Sequence, residues 1–262
     1  MSIQAILDVL EAVAPPHWQE SYDNAGLIVG NPTAACTGVL FALDSTEAVL
    51  AEAKQKGCNL VVAHHPIVFK GLKRFNGATY VERTVIQSIR QDIAVYAIHT
   101  NLDNVLYKGV NTKIAEKIGL QDTRILMPKQ GFSDIGAGLI GALPKAMAEL
   151  DFLRHLKQQL RTECIRHTAL RGQAVQKVAV CGGSGSFLLP EARRAGADVF
   201  VTADFKYHEF FDADGQLVVA DVGHFESEQF TSELLFGIVS EKFPTFALHL
   251  ADTYTNPVNY LL

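Results

Sequence analysis

Residues 38–64, GVLFALDSTEAVLAEAKQKGCNLVVAH, decide the fold. GVLFALD (38–44) is an apolar run of strand length, TEAVLAEAKQKG (46–57) has helical character and closes on a glycine, and NLVVAH (59–64) is a second apolar run. That is βαβ rhythm, and the sheet it builds is mostly parallel with helical cover. Upstream, Ile3, Ile6, Leu7, Leu10 and Val13 recur at helical spacing after Ser2, a candidate N-cap, and Pro15-Pro16 ends the pattern. Downstream the alternation continues with a helix over 79–91, a strand IAVYAIH (93–99), a turn-rich TNLDN and a helix over about 109–118.

GLQDTRILMPKQGFSD (119–134) breaks the rhythm with glycine, proline and mixed charge, which places a domain boundary near 124. The pattern then restarts. IGAGLIGAL (135–143) reads as a strand, KAMAELDFLRHLKQQL (145–160) as a helix, and CIRHTAL and KVAVCGG as strands. EARRAGADVFVTADF and HEFFDADGQLVVADVGH each read as a helix followed by a strand. FESEQFTSELLFGIVSEKF (225–243) reads as one long amphipathic helix before TFALHL. The expected fold is two α/β domains with mixed or mostly parallel sheets flanked by helices. One is a discontinuous metal-binding domain (1–124 plus 225–262), the other an inserted domain (125–224), with the metal site in the cleft between them.

Composition narrows the function. The 262 residues are 48% hydrophobic and 19% charged, which is ordinary globular usage and excludes disorder or a fibrous repeat. Twenty-three basic against 28 acidic side chains give a net charge of −5, which argues against nucleic acid or an anionic membrane as partner. Lys70, Lys73 and Arg74 form a local basic cluster that a solvated loop also explains. Cys36, Cys58, Cys164 and Cys181 lie far apart with no CxxC, so a disulfide scaffold is not expected. The first residues lack the pattern of a signal peptide, and no stretch reaches the roughly 20 apolar residues that span a bilayer. A cytoplasmic location is expected.

Chemistry-bearing residues collect at strand ends. His64-His65-Pro66 follows NLVVA, and the carboxyl ends of strands are where open α/β sheets carry their sites. A His-His pair by itself is more often incidental than ligating. Asp103, in the turn after IAVYAI, is a hard oxygen ligand or else an Asx-turn residue, and His99 either orients a ligand or packs. In DVGHFESE (221–228), a helix beginning near His224 would put Glu228 on the same face, while Glu226 reads as a first-turn carboxylate favouring the helix dipole. His64, His65, Asp103, His224 and Glu228 then offer three imidazoles and two carboxylates. Two ions sharing a carboxylate use such a set naturally, and the absence of cysteine from it points to zinc, manganese or iron in an open site.

The segments YDNAGLIVG (22–30), AHHPIVFKGLK (63–73), AIHTNLDN (97–104), CGGSGS (181–186), ADFKYHEF (203–210) and DVGHFESE (221–228) resemble, in order and spacing, the motifs of the Ngg-interacting-factor-like family. That family includes the YbgI proteins and the GTP cyclohydrolase I type 2 homologues. The resemblance implies a two-domain α/β protein with two divalent metal ions, assembled as a toroidal homohexamer. It also implies that His64, His65, Asp103, His224 and Glu228 are the ligands, with Glu228 bridging, and that the chain returns to its first domain after building the second. Asn24 and Asp44 fall in family-like segments and either line the cleft or close turns. Gly182–Ser186 either cradles phosphate at a helix start or forms a tight turn. His208 is the candidate proton carrier, with a surface histidine as the competing reading. The expected function is a metal-dependent hydrolase that activates water against a nucleotide-like or phosphorylated small molecule. The alternative is a non-catalytic metal-handling or partner-binding protein.

Overall fold

The computed structural model describes residues 1–261 and groups them into two compact units. The first contains α1 (Ile3–Val13), β1 (Gly26–Val29), β2 (Val39–Ala42), α2 (Glu47–Gln55), β3 (Leu60–Ala63), α3 (Tyr80–Gln91), β4 (Ala94–Ala97) and most of the single turn α4 (Thr100–Asp103). The second takes over at Asp103 with α5 (Val110–Ile118), β5 (Gln121–Pro128), β6 (Gly136–Ala148), α6 (Glu149–Gln159), β7 (Arg166–His167), β8 (Ala174–Ser184), α7 (Leu189–Arg194), β9 (Val199–Ala203), β10 (Val218–Asp221) and α8 (His224–Glu228). The chain re-enters the first unit at Thr231, where α9 (Thr231–Lys242) and β11 (Leu248–Leu250) complete it, and groups with the second again from Val258. Among the described residues no helix is long and apolar enough to cross a membrane.

The first unit's sheet runs β1-β4-β3-β2-β11. Its last four strands are parallel and β1 lies antiparallel along β4. Every residue of β2, β3 and β4 is buried, as strands covered on both faces must be. Leu40, Ala42, Val61 and Val95 face α2 and α3 through Val49, Leu50, Ala53 and Val85. Phe41 points the other way and meets Phe236 of α9 edge-on at 5.9 Å. The helices start where their caps dictate: the Ser2, Thr46 and Thr79 hydroxyls accept the N–H groups of Ala5, Val49 and Glu82.

The second unit's sheet runs β5-β6-β8-β9-β10-β7, with β8, β9 and β10 parallel and the other pairings antiparallel. Both sheets are mixed, as expected for this fold class. In each, neighbouring parallel strands end together, so the loops that follow them converge.

Local expectations differ in five places. The boundary placed near 124 falls inside β5, because α5 and everything after Asp103 pack with the second unit; the return comes at Thr231, not 225. Lys145–Ala148 extend β6, with Met147 and Ala148 opposite Val175 and Ala174 of β8, so the helix begins only at Glu149. TNLDN is a helical turn, and HEFFDA lies in a 3-10 helix, Tyr207–Ala213. The long helix expected over 225–243 is two helices: Phe230 is buried with the Lys117 ammonium 4.1 Å over its ring, and the break at Gln229-Phe230 lets it turn inward.

Candidate metal centre

In the first unit three imidazoles gather at the carboxyl ends of β3 and β4. His64 and His65 leave β3 with both backbone N–H groups bonded to the carbonyl of Leu43, at 3.1 and 3.0 Å, which fixes the turn. His99 follows β4, the next strand. The ring centroids lie 4.9 Å (His64–His65), 5.2 Å (His64–His99) and 5.5 Å (His65–His99) apart, and one ligand nitrogen from each ring falls within 4.8 Å of the others.

Each ring is oriented through Nδ1. His64 Nδ1 donates to the carbonyl of Ile98 at 2.8 Å, His65 Nδ1 to Asp44 Oδ1 at 2.7 Å, and His99 Nδ1 to Asp23 Oδ1 at 2.7 Å. Carbonyl and carboxylate oxygens carry no proton to give, so Nδ1 holds the hydrogen in each of these bonds. Asp44 sits at the end of β2; Asp23 precedes β1, whose antiparallel register sets Gly26 opposite Ala97 and so brings Asp23 beside His99. Burial pushes the Asp23 carboxyl up, but hydrogen bonds from His99 and Thr100 outweigh it and hold the pKa at about 2. Asp44 is likewise held below the usual carboxylate range: burial opposes this, and hydrogen bonds from His65 and Thr255 prevail.

In the second unit Glu228 is the centre. α8 begins at His224, so Glu228 stands one turn on, with Glu228 Oε2 3.1 Å from His224 Nε2. An oxygen of Asp103 lies within 4.8 Å of one of Glu228. His224 Nδ1 donates to Asp204 Oδ2 at 2.7 Å, and the Ser184 hydroxyl donates to the same carboxylate. Burial lowers the His224 pKa, yet Glu228 and Asp204 more than reverse it and lift the imidazolium to about 11. A protonated ring between two carboxylates marks a position where positive charge is strongly favoured.

Two N–H groups of the Gly182–Ser186 loop are bonded within the protein. Gly182 N–H donates to Asn111 Oδ1 and Gly183 N–H to Ser227 Oγ, both at 2.9 Å. Its glycines also make room. Gly183 has φ +59°, and a Cβ there would stand 2.5 Å from Glu228 Oε1 and 3.1 Å from His224 Cε1.

The expected ligands therefore fall into two local groups: His64 and His65, joined by His99, in the first unit, and Asp103, His224 and Glu228 in the second. Asp44 orients His65, while the Asn24 side-chain amide donates to the Val68 carbonyl at 2.6 Å. Glu226 is buried in the first turn of α8 and bonds with the Tyr260 side chain. His208 is exposed, its ring edge-on to Tyr207 at 5.1 Å. Among the other histidines, His17 packs on Trp18, and His155 and His167 bond to backbone carbonyls. Sequence reasoning missed Asp23 and Asp204. Both lie inside the family-like segments, and Asp204 stands just past its strand (VTAD, 201–204) as Asp44 stands just past its own (FALD, 41–44).

The donor set fits a divalent cation. Four imidazoles are backed at Nδ1 by an oxygen, the arrangement that aims Nε2 at a metal and raises its basicity. The carboxylates supply hard oxygens, and none of the donors is a thiolate.

A family model described as Duf34/NIF3 (NGG1p interacting factor 3) matches residues 1–257. A relative from Clostridium perfringens, a "GTP cyclohydrolase 1 type 2 homolog", is 34% identical over 229 residues, 87% of each chain. A Bacillus cereus protein related to NIF3 superposes with a TM-score of 0.92 at 26% identity, covering 100% of this chain and 99% of the other. Protein ybgI, described as of unknown function, shares the fold with a TM-score of 0.84 at 22% identity, covering 98% and 100%. The six ordered motifs, the two mixed sheets and a family match over nearly the whole sequence agree: the chain belongs to the Duf34/NIF3 family.

Proposed function

We propose that the protein binds two divalent ions through His64, His65, Asp103, His224 and Glu228 and is a hydrolase of nucleotide-like or otherwise phosphorylated small molecules. The observation that carries this reading is the shared orientation of the imidazoles, each with its Nδ1 bonded to an oxygen. When bound, a pair of divalent cations supplies Lewis acidity and lowers the pKa of water toward neutrality. The chain's part is positioning. Asp44, Asp23 and Asp204 fix the rings, and Glu228, within reach of both Asp103 and His224, would be the bridging carboxylate.

The loop after His65 supports an anionic, ring-bearing substrate. Lys70, Lys73 and Arg74 are exposed there, Phe69 meets the His99 ring edge-on at 6.2 Å, and Tyr22 lies 6.3 Å from Phe69. Such rings stack on a base while the cations meet phosphate. The relative's name makes GTP the first compound to test. In this reading His208 is the proton carrier, so His208→Ala lowers kcat while metal content stays unchanged.

The test follows hydrolysis of GTP and a panel of phosphorylated compounds by metal-loaded protein beside Glu228→Gln. Turnover in the native chain, lost in the folded variant, supports hydrolysis. Full metal loading with no turnover across the panel overturns it in favour of metal handling.

A further inference from the structure

Residues 251–257, ADTYTNP, belong to no helix or strand, yet they lie along the first unit through a series of specific bonds. Glu52 accepts the N–H groups of Asp252 and Thr253 at 2.7 and 2.9 Å and the Thr253 hydroxyl at 2.6 Å. Lys56 donates to the Leu250 carbonyl and to Asp252. These anchors touch nothing in the candidate centre. The last one does: the Thr255 hydroxyl donates to Asp44 Oδ2 at 2.6 Å, while Oδ1 of the same carboxylate receives His65 Nδ1.

Three imidazoles of the centre share this order of hydroxyl, carboxylate and ring: Thr255–Asp44–His65, Thr100–Asp23–His99 and Ser184–Asp204–His224. In two of them the hydroxyl sits in a helical turn or at a strand end. Only Thr255 comes from an extended segment. Asp44 cannot rotate without giving up both its bonds, so the segment sets the carboxylate and the carboxylate sets the ring. A cation bound by His65 would draw electron density from the ring and make Nδ1–H a better donor, which would hold Asp44 harder in the pose Thr255 needs.

We propose that Thr255 is a positioning residue of the metal centre, and that metal occupancy and docking of segment 251–257 strengthen one another. This rests on the metal-binding reading above. Coupling between two binding events is reciprocal, so it is readable from either side.

The test uses the full-length protein with zinc in competition with a chromophoric chelator, cobalt(II) as a spectroscopic reporter, and amide exchange of residues 251–257 with and without zinc. Partners of ligating histidines typically change metal affinity by about 10- to 100-fold, and one bond further out Thr255→Val is expected to weaken zinc by about 3- to 10-fold and alter the cobalt spectrum. Thr255→Ser, which keeps the hydroxyl, restores both to within about twofold of the native values. Zinc slows exchange of the segment in the native chain and not in Thr255→Val. Native affinity and spectrum in Thr255→Val, failure of serine to rescue, or exchange indifferent to zinc overturns the proposal while leaving the metal centre standing. A native chain that takes up no zinc overturns the metal reading itself, and the proposal with it.

Discussion

Replacing Gly183 with alanine separates the role of a backbone from that of the side chains around it. Gly183 has φ +59°, a region that costs an L-residue about 1–2 kcal/mol. Gly215, in the same unit, has φ +64° and nothing within 4 Å of the position a methyl would take, so Gly215→Ala carries that backbone cost alone. At Gly183 the methyl would come within 2.5 Å of Glu228 Oε1, the far end of a side chain rather than backbone. The added stability cost is therefore small, and both variants should lose about 2–4 °C in Tm for each kcal/mol. Metal binding should tell them apart. Glu228 Oε2 stands 3.1 Å from His224 Nε2 and an oxygen of Glu228 lies within 4.8 Å of one of Asp103, and misplacing it should weaken zinc by at least the 10- to 100-fold seen when a ligand's support is removed. Thermal unfolding gives the first quantity and chelator competition the second. Native zinc affinity in a folded Gly183→Ala, or an equal loss in Gly215→Ala, would refute the reasoning.

Other outcomes follow from the same geometry. The Glu52 carboxyl is pushed up by burial but drawn down to about 2 by bonds from Lys56, Thr253 and Asp252, so it stabilises the fold above its ordinary value of 4.5. That contribution is lost as pH falls from 4.5 toward 2, and Glu52→Gln should flatten the decline of the urea midpoint across this window. Asp23→Asn sets an amide where His99, Thr100 and Asn24 all donate, and the mismatch should cost about 1–3 kcal/mol in urea unfolding. The homohexamer implied by the family motifs predicts sedimentation at about six times the chain mass of 28.6 kDa; a monomer would contradict it.

The sheets were legible because buried parallel strands are written as short apolar runs, as in VLFA, LVVA and AVYA. The candidate ligands could be picked out because they punctuate the ends of those runs. What escaped was long-range. Ala146, Met147 and Ala148 favour helix in isolation, and only pairing with β8 makes them strand. No glycine or proline marks the break before α9, which burial of Phe230 between Lys117 and Arg161 imposes. Asp44 showed itself at a strand end, but its partner Thr255 lies 211 residues away with nothing local to signal it.

The central claim is that this chain is built to hold two metal ions. Elemental analysis of protein purified without chelator, beside folded His65→Ala and Glu228→Gln variants, tests it directly. The account predicts about two divalent ions per chain and their loss in the variants. A native protein that arrives empty and refuses added zinc, manganese and iron would contradict it.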